Sequence, residues 1–193
     1  MKLNKILIIV FTSTLFFGFS SLTNKRINVE RSIVKWVGYK LTGQHEGTIT
    51  IKEGELTFEN ETLKAGTFVM DMNSISTTDL EGGSKNRLDG HLKNEDFFDV
   101  EKYQIASLKF KTVKPTSKKN KAGNNYFVVA DMTIKGITNE VFFKMTVFEN
   151  SATANLKIDR TKFNITYKSA TLTSIVKDKA IYDEFDLSVK LSF

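Results

Sequence analysis

The 193-residue chain has no cysteine, one proline (Pro115) and two histidines (His45 and His91). Without cysteine there is no disulfide, no thiolate nucleophile, no cysteine-ligated zinc or iron–sulfur centre and no lipid-modified N-terminal cysteine. Two imidazoles exclude any site built on three, and a Ser-His-Asp arrangement would have to use one of these two. A single proline excludes a proline-rich linker. Gly-x-Ser-x-Gly, the phosphate-binding loop and the dinucleotide fingerprint are all missing. The acidic residues at 79, 81, 89, 95, 96 and 99 do not follow calcium-loop spacing, so neither a metal nor a cofactor is expected.

What the chain does hold is apolar bulk. Hydrophobic residues make up 40% and charged residues 26%, with 16 phenylalanines, enough to build a core and to exclude intrinsic disorder. The length suits one domain with a short extra segment. That segment is at the N-terminus: Lys2 and Lys5, then an apolar run of 14 residues at 6–19, then Gly18, Ser20 and Ser21. A spanning helix needs about 20 residues, so the layout reads as a secretory signal. The expectation is a signal at 1–20, cut after Ser20, and a domain at 21–193 exported to the periplasm or beyond.

The net charge of +6 drops to +4 without Lys2 and Lys5, and Lys114, Lys118, Lys119 and Lys121 fall in one stretch that carries no acid. The plain reading is a solvated hairpin tip; the sharper one is contact with the anionic headgroups of a membrane surface. Nucleic acid is not expected as a partner, because no basic face interleaved with aromatics runs along the chain.

After Thr23 the dominant pattern has period two. Ile49 and Ile51 alternate with threonine and lysine; Phe68, Met70 and Met72 form a second set; Ala106, Leu108 and Phe110 a third. Val141, Phe143, Met145 and Val147 follow, then Ala152, Ala154, Leu156 and Ile158, and finally Phe185, Leu187, Val189, Leu191 and Phe193. With less decided runs at 33–41, 54–58 and 126–135 this gives nine strand candidates. Turn signals separate them at Lys52-Glu53-Gly54-Glu55, Ala122-Gly123-Asn124-Asn125 and Glu149-Asn150-Ser151. Strands with one buried face, joined by short turns, must hide their edges, and closing into a barrel does so. Residues 77–99 break the alternation, with Leu88, His91 and Leu92 at helical spacing, and predict a helical insertion that caps a cavity or plugs one end.

His45 shares the parity of Gly47, Ile49 and Ile51, so its ring should project to the apolar side. Asp159-Arg160 reads first as an ion pair or strand-end clamp, and second as a grip on a charged ligand head. A barrel of about eight strands is wide enough either to be filled by side chains or to hold one small ligand. The methionines at 70, 72, 132 and 145 suit an adaptable apolar surface.

Several blocks, in order, resemble the YceI-like proteins. They are Trp36-Val37-Gly38-Tyr39-Lys40; Gly43-Gln44-His45-Glu46-Gly47; Gly66-Thr67-Phe68; Asp71-Met72-Asn73-Ser74-Ile75; His91-Leu92-Lys93-Asn94 through Tyr103; Met132-Thr133-Ile134-Lys135-Gly136-Ile137-Thr138; Ile158-Asp159-Arg160-Thr161-Lys162-Phe163-Asn164-Ile165; and Asp178-Lys179-Ala180-Ile181. The resemblance implies an all-β protein: an extended, eight-stranded, antiparallel, lipocalin-like barrel, exported in bacteria, that binds a polyisoprenoid or other long-chain lipid inside. Two positions depart from the family pattern: Gln104 stands where proline is frequent and Asn164 where glycine is common.

The expected function is therefore a non-catalytic lipid holder for transport, storage or sequestration. Its tunnel would be lined by Ile49, Phe68, Met70, Leu108, Phe110, Phe143, Met145 and Leu187, with His45, His91 and Arg160 as head-group contacts. The competing readings are a filled barrel whose exterior serves an envelope stress response, and a hydrolase using His45 or His91. Pairing of two copies is left open.

Overall fold

The computed structural model describes residues 21–116, 123–169, 171, 172 and 180–193. The expected signal and Lys118, Lys119 and Lys121 lie outside the described residues.

The strands are β1 (Leu22–Arg26), β2 (Ile33–Lys40), β3 (Gly43–Glu59), β4 (Thr62–Thr77), β5 (Ile105–Pro115), β6 (Asn124–Ile134), β7 (Ile137–Val147), β8 (Ser151–Asp159) and β9 (Ile181–Ser192); helix α1 (Gly82–Lys93) follows β4. All neighbours are antiparallel, and the order from β2 through β9 returns to β2, closing an eight-stranded barrel. β1 adds no ninth stave. It pairs with Glu55 to Glu59 on the edge of β3 that further along takes β2, so β1 and β2 together make one interrupted stave. The interruption is sealed: the Ile27 N–H donates to Gly54 O (2.9 Å) and the Asn28 N–H to Ser192 O (2.8 Å). Every stave has partners on both sides, as the period-two pattern requires.

The turn expected at residues 52–55 is absent. Those residues lie inside β3, where the register against β4 shifts between Ile51 and Glu53. The extra residue of a bulge reverses side-chain parity, so odd positions (Gly47, Ile51) are buried before it and even positions (Leu56, Phe58) after it. Two sequence runs out of phase are thus one long bent strand, not a hairpin. β4 makes a similar switch. The Ser74 hydroxyl accepts the Thr50 N–H (2.8 Å) and donates to the Asp71 carbonyl (2.6 Å), and buried positions change from Met72 to Ile75. Real turns went unmarked in the sequence: Asn60-Glu61 and Lys135-Gly136 both carry paired positive φ angles (48° and 63°, 53° and 73°), the two-residue hairpin geometry whose twist matches the strands.

The two ends of the barrel differ. At the end formed by β1 and the β3–β4 turn, Leu56, Leu63, Val128 and Ala152 are at most 1% exposed, and the Tyr126 hydroxyl accepts the Leu63 N–H at 3.2 Å. Lys25 closes this end from outside, 5.6 Å and 5.0 Å from the rings of Phe58 and Phe193. At the other end, β7 and β8 pair only between Lys144–Asn155 and Val147–Ala152 and then part. A 3₁₀ turn, Arg160–Phe163, fills the opening, with Phe163 and Ile165 buried and Asn139 Nδ2 donating to Lys162 O (2.8 Å). Asn164 ends this turn at φ 57°, the left-handed cap conformation for which asparagine is the usual substitute when glycine is not used. The Gln104 carbonyl accepts the Met72 N–H (2.9 Å), a bond that proline would make equally well.

Helix α1 lies against the end of β4, inside the predicted 77–99 insertion, and is tied there by one side-chain pair. Lys85 Nζ donates to Asp89 Oδ2 (2.8 Å) and also to the Ser76 hydroxyl and Thr77 carbonyl, while Asp89 Oδ1 accepts the Thr77 N–H (2.7 Å).

One cross-strand pair admits no side chain beyond glycine. Gly47 faces Trp36 in register, and a Cβ there would collide with the Trp36 ring and the Ser76 carbonyl. Gly47→Ala is expected to destabilise the barrel by about 3 kcal/mol, the upper part of the overpacking range, read as a lower urea midpoint at unchanged slope.

Candidate functional site

Above the packed end the barrel is hollow. A cavity of about 530 Å³ runs between the inner faces of the staves, within the roughly 300–1,000 Å³ of small-molecule sites. Strand parity makes its walls apolar: Ile49 comes from β3, Met70 from β4, Leu108 from β5, Met145 from β7 and Leu187 from β9. Three rings form the bottom, with Phe68 and Phe110 centroids 5.7 Å apart and Phe110 and Phe143 centroids 5.8 Å apart. Leu88, His91 and Leu92, the helically spaced trio of α1, form part of the cover. Tyr39, Lys40, Thr42, His45, Lys168 and Tyr182 supply a polar rim where the β2–β3 turn meets the segment before β9.

All eleven residues expected from the sequence, Ile49, Phe68, Met70, Leu108, Phe110, Phe143, Met145, Leu187, His45, His91 and Arg160, line this one cavity. The three polar ones differ in what they have left to offer. His45 Nδ1 lies 2.8 Å from Asp79 Oδ2, and Asp79 Oδ1 accepts the Glu46 N–H (3.1 Å). Burial pushes the Asp79 carboxyl up, but these two hydrogen bonds outweigh it and hold the group below the ordinary aspartate range. His91 sits edge-on to Tyr167 and Phe97, with centroids 4.5 Å and 5.2 Å away. Burial lowers its pKa, so the ring is neutral at pH 7 and presents an aromatic face.

Arg160 is a clamp. Its guanidinium, 3% exposed, donates to the carbonyls of Ile165 (2.7 Å), Tyr182 (3.1 Å) and Ile181 (3.1 Å), and lies 3.5 Å from Asp183 and 5.6 Å from the Phe97 ring. Its ion partner is Asp183 rather than the neighbouring Asp159, which accepts the Thr161 N–H and hydroxyl to cap the 3₁₀ turn. Most of its donors are thereby committed to Ile165 after the 3₁₀ turn and to the first two residues of β9.

Sequence reasoning missed Trp36, Ile134, Phe97, Tyr167 and Phe185, which also line the cavity. Phe97 and Tyr167 lie in irregular segments where no periodicity marks an inward face. Phe185 belongs to a run that the alternation had already identified, and parity alone would have added it. Lys114 is exposed at the outer end of β5, paired towards the packed end of the barrel and away from the rim.

Two outcomes follow from these contacts. Arg160→Met leaves three carbonyls without their donor and removes the guanidinium beside Asp183, and should cost about 3–5 kcal/mol in chemical denaturation. For Asp89, burial raises the carboxyl pKa, but the hydrogen bonds from Lys85 and Thr77 dominate and depress it. A depressed carboxyl stabilises the fold above its unfolded pKa, and that contribution is lost as pH falls through the folded value. Asp89→Asn should therefore be less stable than the parent at pH 7, with the difference shrinking below about pH 4 in a pH series of melting temperatures.

The YceI-like domain model matches residues 25–193. Among solved structures, BcnA of Burkholderia cenocepacia superposes with a TM-score of 0.67 at 22% identity, covering 86% of this chain and 98% of that one. A polyisoprenoid binding domain from Saccharophagus degradans, implicated in plant cell wall breakdown, gives 0.58 at 13% identity, covering 89% and 97%. A YceI protein of Campylobacter jejuni gives 0.52 at 18% identity, covering 68% and 72%. These likenesses are likenesses of fold. No curated protein matches the chain significantly. With its domain match running from β1 to the last residue and the same barrel beneath it, the chain belongs to the YceI-like family.

Proposed function

We propose that the protein is a binding protein that holds a polyisoprenoid or other long-chain lipid inside its barrel, exported through the N-terminal signal and without chemistry of its own. The observation that carries this reading is the apolar hollow of about 530 Å³, closed at one end and rimmed by polar side chains at the other. A hydrocarbon tail buried there gains about 0.8 kcal/mol for each methylene taken out of water, so the wall needs no specific polar contact to supply affinity. Adaptable methionines on the wall, Met70, Met132 and Met145, tolerate tails of different branching. The similar fold of a polyisoprenoid binding domain from Saccharophagus degradans supports the same ligand class.

The hydrogen bonds of the two histidines favour binding over hydrolysis. His45 pairs with Asp79 and His91 with Asn94, and among the described residues neither imidazole is joined to a hydroxyl that it could activate.

Leu108 is only partly buried although it points inward, because it borders the hollow. Leu108→Trp should fill the void and weaken binding of a long-chain prenol at least tenfold with the melting temperature nearly unchanged. Native mass spectrometry of both proteins with added geranylgeraniol reads the loss, and organic extraction of protein purified from cells reads any lipid already carried. A parent protein that emerges empty and also ignores added prenols would remove the proposal.

A further inference from the structure

The cavity has a floor, and we infer that the floor selects tail length. Phe68, Phe110 and Phe143 limit the tail buried inside the barrel to a single chain of roughly 15 to 20 carbons, one water-sized group of about 30 Å³ per carbon in a hollow of about 530 Å³. This rests on the lipid-binding reading above and specifies what that reading leaves open.

Three observations carry it. First, the register places the rings side by side across the barrel. Phe110 faces Ala130, and Phe143 faces Val128 on the same strand. The small Ala130 leaves room above β6 for Phe110 and Phe143 to meet, 5.8 Å apart at nearly right angles (65°). Second, Phe110 is seated on Gly66: a Cβ there would come within 2.6 Å of the ring. A glycine inside a strand costs backbone entropy, and here it lets the ring reach across the barrel. Third, among the described residues the level beneath the rings is packed, and buried Met145, which faces Tyr126, and Leu191, which faces Ala152, complete the bottom of the cavity beside the rings. Leu56, Leu63, Val128 and Ala152 are at most 1% exposed and Tyr126 is 2% exposed and hydrogen-bonded; none of the five borders the cavity.

A tail that enters past the polar rim therefore stops at side chains, which substitution can move, and not at backbone. Carbons beyond the limit stay outside the barrel and add little to affinity. Within the limit, each methylene buried multiplies affinity by up to about fourfold.

The test is competition among farnesol, geranylgeraniol, solanesol and undecaprenol, read by native mass spectrometry on the parent protein and on Phe110→Ala and Phe143→Leu. The parent should prefer geranylgeraniol to farnesol at least tenfold and should bind the two longer prenols within about threefold of geranylgeraniol. Phe110→Ala, by opening the bottom over Gly66, should move the preference at least tenfold towards solanesol. Phe143→Leu makes a smaller opening and a smaller shift in the same direction, and answers the question if the alanine variant fails to fold. Affinity that keeps climbing through solanesol in the parent, or variants that weaken all four prenols alike, would overturn the length limit while leaving lipid binding intact. No binding of any of the four would overturn both.

Discussion

A pleated strand offers each side chain one of two faces, and that constraint governs everything inside this barrel. β3 and β4 run past both the packed end and the hollow end, and a strand that long bends as it wraps around the barrel. Bulges provide the bend, but each extra residue moves the following side chains to the opposite face. Here the sequence changes phase at the same places as the backbone, so Ile51 and Leu56 are both inside although one is odd and the other even. A continuous apolar interior along two crooked strands depends on that agreement between backbone and composition.

The closed ladder then divides the interior. Large residues with small partners, such as Phe110 with Gly66 and Ala130, meet across one level, whereas Trp36, Phe97, Tyr167 and Phe185 line the hollow above it without filling it. Where the barrel flares, hydrogen-bonded clamps replace ladder bonds: Lys85 and Asp89 hold the helix to β4, and Arg160 holds the approach to β9. Both clamps bind backbone carbonyls as well as a carboxylate, Asp89 for Lys85 and Asp183 for Arg160, and so hold the covering segments in place. The rim is consequently ordered by charges that belong to the scaffold.

Much of this was legible in the primary structure. Six clean alternating runs correspond to inward faces of strands, and all eleven chosen positions meet in one cavity, because parity is a local property that tertiary contacts rarely override. What was misread has a physical cause in each case. Lys52-Glu53-Gly54-Glu55 carries turn composition, yet a bulge needs the same permissive residues, and only the pairing of β3 with β4 tells the two apart. β1 is short and polar, and its strand geometry comes from pairing with β3. Phe97 and Tyr167 occupy irregular segments, and their inward direction is set by the clamps around them. The division of the interior into packed and empty levels depends on which residues face one another across strands, and a single strand's pattern contains no such information.

The separation of a dense base from an open chamber has an evolutionary consequence. Residues such as Leu56, Val128 and Ala152 anchor the architecture, whereas the chamber wall borders empty space and can exchange one aliphatic or thioether group for another at modest cost to stability. The chamber wall can then change while the scaffold persists, which suits a barrel whose shape is shared with a solved structure at 13% identity.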